Sequence, residues 1–268
     1  ALKLFLTNDK SEAIALTQKL NDYNKERQDI EKNIFEEALN KINEENIEEK
    51  SAIVLGGDNW HHGVIGIVSS KITDLYFKPS ILLCYENDLA KGSGRSIPGF
   101  DLHDALMKCQ DTIEKFGGHS MAVGVSVSKE NFEKFKEEFL KLAKEADISS
   151  LEPVLNIDAV LNIDNINKQM VETLSLLEPF GEANTQPIFA FKGLKIQSIR
   201  SLTDGKHLKL SLKSNNNTYV NAIGFNLGHL ASEFTIGDKI DVAGNLEINS
   251  FNGVDSIQIN LKDVMKSI

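Results

Sequence analysis

The chain has 268 residues, 41% of them hydrophobic and 25% charged, with a formal net charge of −10 at pH 7. That length favours two compact units over one, the composition is that of an ordinary soluble globular protein, and the acidic balance argues against a uniformly basic polyanion-binding surface. No apolar run approaches the ~20 residues needed to span a bilayer. The opening "ALKLFLTNDK" lacks the parts of a secretory signal, and it begins with Ala inside an apolar run, as an excised piece would. Two cysteines, Cys84 and Cys109, form neither a disulfide framework nor a CxxC metal pair, which fits a reducing cytoplasm.

Residues 11–46 carry a helical pattern, with Asp9 or Ser11 as N-cap. Ala13, Leu16, Leu20, Tyr23, Arg27, Ile30 and Ile34 recur at spacings of three and four and form one seam. Arg27 stands on that seam among apolar neighbours, a placement that requires an anion. From 51 to 147 strand and helix signals alternate. "SAIVL" and "SILLCYE" read as buried strands with the helical "GVIGIVSSKITDLY" between them. "LAKGSGRS" reads as a loop, "DLHDALMKCQDTIEKF" as an amphipathic helix capped by Asp101, and "FGGH" as a glycine turn. "VGVSVS" is a further strand and "ENFEKFKEEFLKLAKEA" a closing helix. Strands separated by helices predict an α/β layer with right-handed crossovers.

Beyond 151, "EPVLNIDAVLNI" and the helical "NINKQMVETLSLLE" lead to the loop "PFGEANTQP". Five strands are then predicted at 188–199, 206–213, 218–225, 239–248 and 254–262, separated by "TDGK", "SNNN", "TIGD" and "SFNG". The non-strand insert "NLGHLASEF" between the third and fourth gives the layout of an OB-type barrel. The predicted division is a long helix at 1–50, an α/β domain at 51–150, a linking β/α segment at 151–187 and an all-β barrel at 188–268.

His61, His62, His103 and His119 fall in the α/β zone without helical i, i+4 spacing or a cysteine partner, so no metal site is predicted from them. "GSGRS" offers the Ser93 and Ser96 hydroxyls and the Arg95 fork, a kit suited to phosphate. Alone it is as compatible with a plain hairpin turn. With "GGH" at 117–119 and the seam Arg27 it predicts an anionic-ligand pocket. In 192–213, Lys192, Lys195, Arg200, Lys206, Lys209 and Lys213 face Asp204 alone, a basic stripe on an acidic chain. The competing reading is a solvated lysine-rich strand face. Phe189, Phe191, Tyr219, Phe225 and Phe251 are candidates for base stacking, with no more than two expected at the surface. GxSxG and GxxxxGK[ST] are absent. So is an aspartate cluster able to hold two cations for phosphodiester hydrolysis.

"GDNWHHGVIGIVSSKI", "GSGRSIPGFDLHDAL", "FGGHSMAVGVSV", "LEPFGEANTQPIF" and "DGKHLKL" occur in an order that resembles the C-terminal part of the RecJ family, bacterial 5′→3′ exonucleases specific for single-stranded DNA. The helix carrying "NDYNKERQDIE" resembles the connector between the two catalytic halves of those enzymes. The resemblance implies a connector helix, a DHH-associated α/β domain and an OB-fold barrel, with the Mn²⁺- or Mg²⁺-holding DHH lobe absent and this fragment inactive by itself. It implies that Ser93, Arg95, Ser96 and Arg27 hold a 5′-terminal phosphate. His119, with Gly117 and Gly118, would meet the phosphate being cut, while Trp60 and His61 shape the cleft. Lys195, Arg200, Lys206, His207, Lys209 and Lys213 would bind the single strand. It further implies a cytoplasmic role in DNA repair and recombination alongside a single-strand-binding protein or a helicase, and no membrane. Two positions depart from the family pattern: His62 stands where proline is frequent, and Ala183 where glycine is. The alternatives are a non-catalytic nucleic-acid-binding module, or another DHH-associated phosphodiesterase such as a nanoRNase.

Overall fold

The computed structural model describes residues 1–46, 50–251 and 253–267, and the chain separates into two compact units, Ala1–Pro153 and Val154–Ile268. The first unit opens with a short helix α1 (Leu2–Leu6) and the long α2 (Lys10–Glu44), whose N-cap Asp9 accepts from the Ser11 and Glu12 amides. Helix α2 reaches the core only in its last third, where Ile34, Ala38 and Ile42 are buried, whereas Tyr23, earlier on the seam, stays exposed. Then follow β1 (Ile53–Gly57), α3 (His62–Tyr76), β2 (Ser80–Glu86), β3 (Leu89–Arg95), α4 (Leu102–Lys108), β4 (Lys115–His119), β5 (Ala122–Ser128) and α5 (Phe132–Glu145).

These strands form one sheet in the order β1-β2-β3-β5-β4. The α3 crossover joins the parallel pair β1–β2, and the remaining pairs are antiparallel. The expected succession of crossovers is thereby corrected to one crossover and two hairpins. The reason lies in "LAKGSGRS" and "FGGH", expected as loop and turn, which are the strands β3 and β4. Period-two alternation then sorts the side chains. Ile53, Leu55, Leu82 and Cys84 pack with α2 and α3 on one face, and Val54, Ile81, Leu83, Val123 and Val125 pack with α5 on the other. Burial on both faces explains why β1 and β2 read as continuous apolar runs.

The second unit contains β6 (Ala159–Val160), α6 (Lys168–Leu174), β7 (Phe189–Leu202), β8 (His207–Lys213), β9 (Tyr219–Gly224), β10 (Lys239–Phe251) and β11 (Val254–Lys266). A short 3-10 turn, Gly228–Ser232, fills the gap between β9 and β10. The order β7-β8-β9-β11-β10 closes through a β10–β7 pairing, with β9–β11 parallel, giving the five-stranded OB barrel. Phe191, Ile196, Leu208, Leu210, Leu212, Ala222 and Ile259 fill it, and Ile163 and Val171 join the same core.

Candidate nucleic-acid interface

In the α/β unit, strand register builds the site. Arg95 pairs with Ala122, which pairs with His119, and one rung along Ser93 pairs with Gly124, which pairs with Gly117. Directly opposed residues in antiparallel strands share a face, so these six positions form a patch two residues deep and three strands wide. With strands about 4.8 Å apart, the Arg95 and His119 backbones stand about 10 Å from one another. Helix α3 lies over β2 and β3 on this face, and a Cβ placed on its Gly66 would meet Ser93 Oγ at 3.0 Å and Arg95 Nη2 at 3.2 Å. Beyond α3 the patch is open. A Cβ on Gly117 would meet nothing within 4 Å, and one on Gly124 only the Gly117 carbonyl at 4.0 Å. Glycine in a strand interior weakens it unless another backbone approaches closely. Among the described residues nothing makes that approach at Gly117, and only the Gly117 carbonyl comes to 4.0 Å at Gly124, so the floor stays bare.

Gly118 has a different task. Its φ is +142°, and a Cβ there would lie 2.2 Å from the Ala122 carbonyl oxygen. Glycine at 118 is therefore demanded by the fold, while glycine at 117 is not.

Charge completes the patch. Arg95 Nη1 donates to Ser93 Oγ at 3.1 Å and to the Gly94 carbonyl at 2.8 Å, and no described carboxylate is paired with this half-buried guanidinium. A cation withdrawn from water in that way favours a bound anion. His119, exposed at the far side of the floor, keeps its imidazole free of hydrogen bonds to the described residues.

Four expectations are corrected here. Because β3 is hydrogen-bonded to both β2 and β5, "GSGRS" is a central strand rather than a loop, and only the side chains of Gly92–Arg95 are left to meet a ligand. Gly92 and Gly94 instead admit the core, since a Cβ on Gly92 would press on Leu83 at 2.8 Å and Val125 at 3.0 Å, and one on Gly94 on Val123 at 2.9 Å and Leu102 at 3.0 Å. Ser96 is buried, and its hydroxyl donates to the Phe100 carbonyl at 2.7 Å, which removes it from the phosphate set. Arg27 finds its anion within the protein: Nη1 meets Glu31 at 2.5 Å, and Glu31 also pairs with Lys71 of α3. Burial acts to raise the Glu31 carboxyl, but hydrogen bonding and charge from Lys71 and Arg27 outweigh it and hold the group below its usual value. Trp60 is not a cleft surface. It is buried over Gly57 in the α2–α3 core, its indole N–H without a hydrogen-bond partner among the described residues, and exposed His61 caps α3 by accepting from the Gly63 amide at 3.1 Å.

On the barrel, alternation turns Leu208, Leu210 and Leu212 inward and Lys209, Ser211 and Lys213 outward. Register then sets cations side by side: Lys239–Lys195–Lys213 along one rung and Arg200–Lys209 along another. Like charges directly opposed across strands oppose folding. No described carboxylate lies within 4 Å of any of these five; among the described residues the ion pairs of this unit involve Lys168 alone. Lys213 Nζ sits 5.4 Å from the ring centroid of Tyr219, which is 59% exposed at the end of the same rung. Lys206 is exposed on the β7–β8 turn. His207 is partly committed, its Nδ1 accepting from the Asn226 amide at 3.1 Å and its ring lying edge-on to Phe225. Of the aromatic candidates, Phe189 and Phe191 are core, Tyr219 and Phe225 are exposed, and the Phe251 side chain lies outside the described residues. Sequence reading missed Ser198, Ser211 and Asn221, which share an outward rung between the cationic ones. The alternation of β8 and β9 was the available signal.

An α/β domain with this rung and a closed barrel with this cationic face define a two-domain class, and two family models match accordingly: the DHHA1 domain over residues 49–145 and the RecJ OB domain over 157–263. Over its whole length the chain is 31% identical to the single-stranded-DNA-specific exonuclease RecJ of Bacillus subtilis (strain 168), covering 34% of that protein. It is 30% identical to the Escherichia coli (strain K12) RecJ, with 97% of this chain and 47% of that protein aligned. The crystal structure of RecJ in complex with Mn²⁺ from Thermus thermophilus matches with a TM-score of 0.82 at 29% identity, over 100% of this chain and 38% of that one. The chain thus matches the DHHA1 and RecJ OB family models in that order and is similar to RecJ exonucleases along its whole length. It spans between a third and a half of the length of the curated relatives it matches.

Proposed function

We propose that this chain is the DNA-gripping portion of a RecJ-type 5′→3′ exonuclease that acts on single-stranded DNA in repair and recombination in the cytoplasm. Arg95 and Ser93 take the 5′-terminal phosphate, and the floor of Gly117 and Gly124 lets the sugar–phosphate backbone lie flat. His119 donates to a phosphate oxygen about two strand spacings away. On the barrel, Lys195, Lys213, Lys239, Arg200 and Lys209 neutralise phosphates, and Tyr219 and Phe225 offer stacking surfaces. The observation that carries this reading is the rung Arg95–Ala122–His119 with its glycine floor, a cation without a counter-charge among the described residues facing an unused imidazole.

RecJ structures hold Mn²⁺ or Mg²⁺. Among the described residues here no three His, Cys, Asp or Glu side chains converge as metal ligands. In this reading the ions are held by the portion of the enzyme that this chain does not span, and a single-strand-binding protein or a helicase delivers the strand. The decisive experiment compares oligonucleotides bearing 5′-phosphate and 5′-hydroxyl ends. The chain should bind the phosphorylated end more tightly, without cutting it when Mn²⁺ is added, and Arg95→Ala should equalise the two. An Arg95→Ala chain that keeps the preference refutes the assignment.

A further inference from the structure

Gly66 lies in the second turn of α3, half-buried, within the pattern "HGVIGIV", where helix propensity gives no reason for glycine: in a helix interior it is among the poorest residues. Glycine facing a sheet commonly allows close backbone packing, yet the two nearest atoms to a Cβ at Gly66 are the tips of Ser93 and Arg95, at 3.0 and 3.2 Å. Both are long-range neighbours on β3, and both belong to the phosphate patch. The Arg95 guanidinium is held from beneath by Ser93 Oγ and the Gly94 carbonyl and bounded from above by the bare turn of α3. We infer that Gly66 is a positioning residue, whose missing side chain sets where the Arg95 fork and the Ser93 hydroxyl stand relative to a bound 5′-phosphate. This rests on the phosphate reading of that patch.

The methyl group of Gly66→Ala has two effects of opposite sign. It favours the helix, and it displaces the flexible end of Arg95 by a few tenths of an ångström. A charge-assisted hydrogen bond set by geometry is lost over such shifts, and its loss corresponds to roughly tenfold in affinity. The test measures binding of this chain to 5′-phosphate and 5′-hydroxyl oligonucleotides by fluorescence anisotropy, with melting temperatures in parallel. Gly66→Ala should lose about tenfold in preference for the phosphorylated end while melting at the same temperature or about 2 °C higher. In an Arg95→Ala background the same substitution should change nothing further, since both act on one contact.

Retention of the preference by Gly66→Ala overturns the inference. So does a melting temperature that falls with the preference, because the methyl then acts on the fold. If the unaltered chain shows no preference, the phosphate reading itself is overturned, and this inference with it. The unaltered chain therefore separates the two failures.

Discussion

The two adjacent glycines of β4 should respond to alanine in opposite ways. At Gly118 the φ of +142° lies where L-residues are strained, and the added Cβ would stand 2.2 Å from the Ala122 oxygen and 2.7 Å from Val123 Cα, both backbone atoms. Strain of this kind costs about 1–3 kcal/mol, and the clash takes Gly118→Ala to the upper end, about 3 kcal/mol. For a unit of this size that is a fall in melting temperature of ~6–12 °C. At Gly117 a Cβ meets nothing within 4 Å, so Gly117→Ala removes only the entropic penalty of glycine and should gain about 0.5 kcal/mol. Its methyl nevertheless stands on the floor where a nucleotide backbone would rest, and oligonucleotide affinity should fall about tenfold, the loss of one well-formed charged contact. Thermal denaturation followed by circular dichroism, with anisotropy titrations on the same preparations, measures both. Equal destabilisation by the two substitutions, or normal binding by Gly117→Ala, would refute the division of labour.

Two further predictions concern the rest of the chain. Glu31 is held below the usual carboxylate range, so its tie between Arg27 and Lys71 should be complete above about pH 4.3, the unfolded value, and lost as pH falls through the lower folded one. Glu31→Gln should cost about 1 kcal/mol at pH 7, both cations being part-exposed, and progressively less as pH falls below about 4.3; a difference constant across pH would count against the tie. For single-stranded oligonucleotides, about 4 neutralised phosphates give log K against log salt a slope of about −3, and Lys213→Ala should reduce its magnitude by about 0.7. A slope unaltered by that change would remove Lys213 from the interface.

The barrel was legible in the sequence because its strands alternate cleanly and its turns are marked by Gly, Asn and Asp; only the ends moved, β7 running to Leu202 and β11 to Lys266. The α/β sheet was harder to read. Gly-Ser-Gly-Arg has the composition of a loop, and only the tertiary fact that Gly92 faces Leu83 and Val125 while Gly94 faces Val123 and Leu102 reveals it as the middle strand. Ser93, Arg95, Ser96 and Arg27 are equally suitable by chemistry, yet Ser96 and Arg27 are claimed by Phe100 and Glu31. Composition cannot tell a polar group that awaits a ligand from one already satisfied. Trp60 carried the same ambiguity, since an aromatic beside two histidines can line a cleft or fill a core.

The two-residue turn Asn87–Asp88 between β2 and β3 has a reach beyond its own hairpin. It sets which residues of β3 look toward α3 and which toward α4 and α5. Deleting one residue there inverts the strand, sending Ser93 and Arg95 into hydrocarbon and offering Gly92 and Gly94 to the solvent. The dimensions of the proposed anion seat are thus gauged by a surface bend whose own side chains take no part in it, and natural length variation should avoid that bend while tolerating the Asn215–Asn217 tip of the barrel.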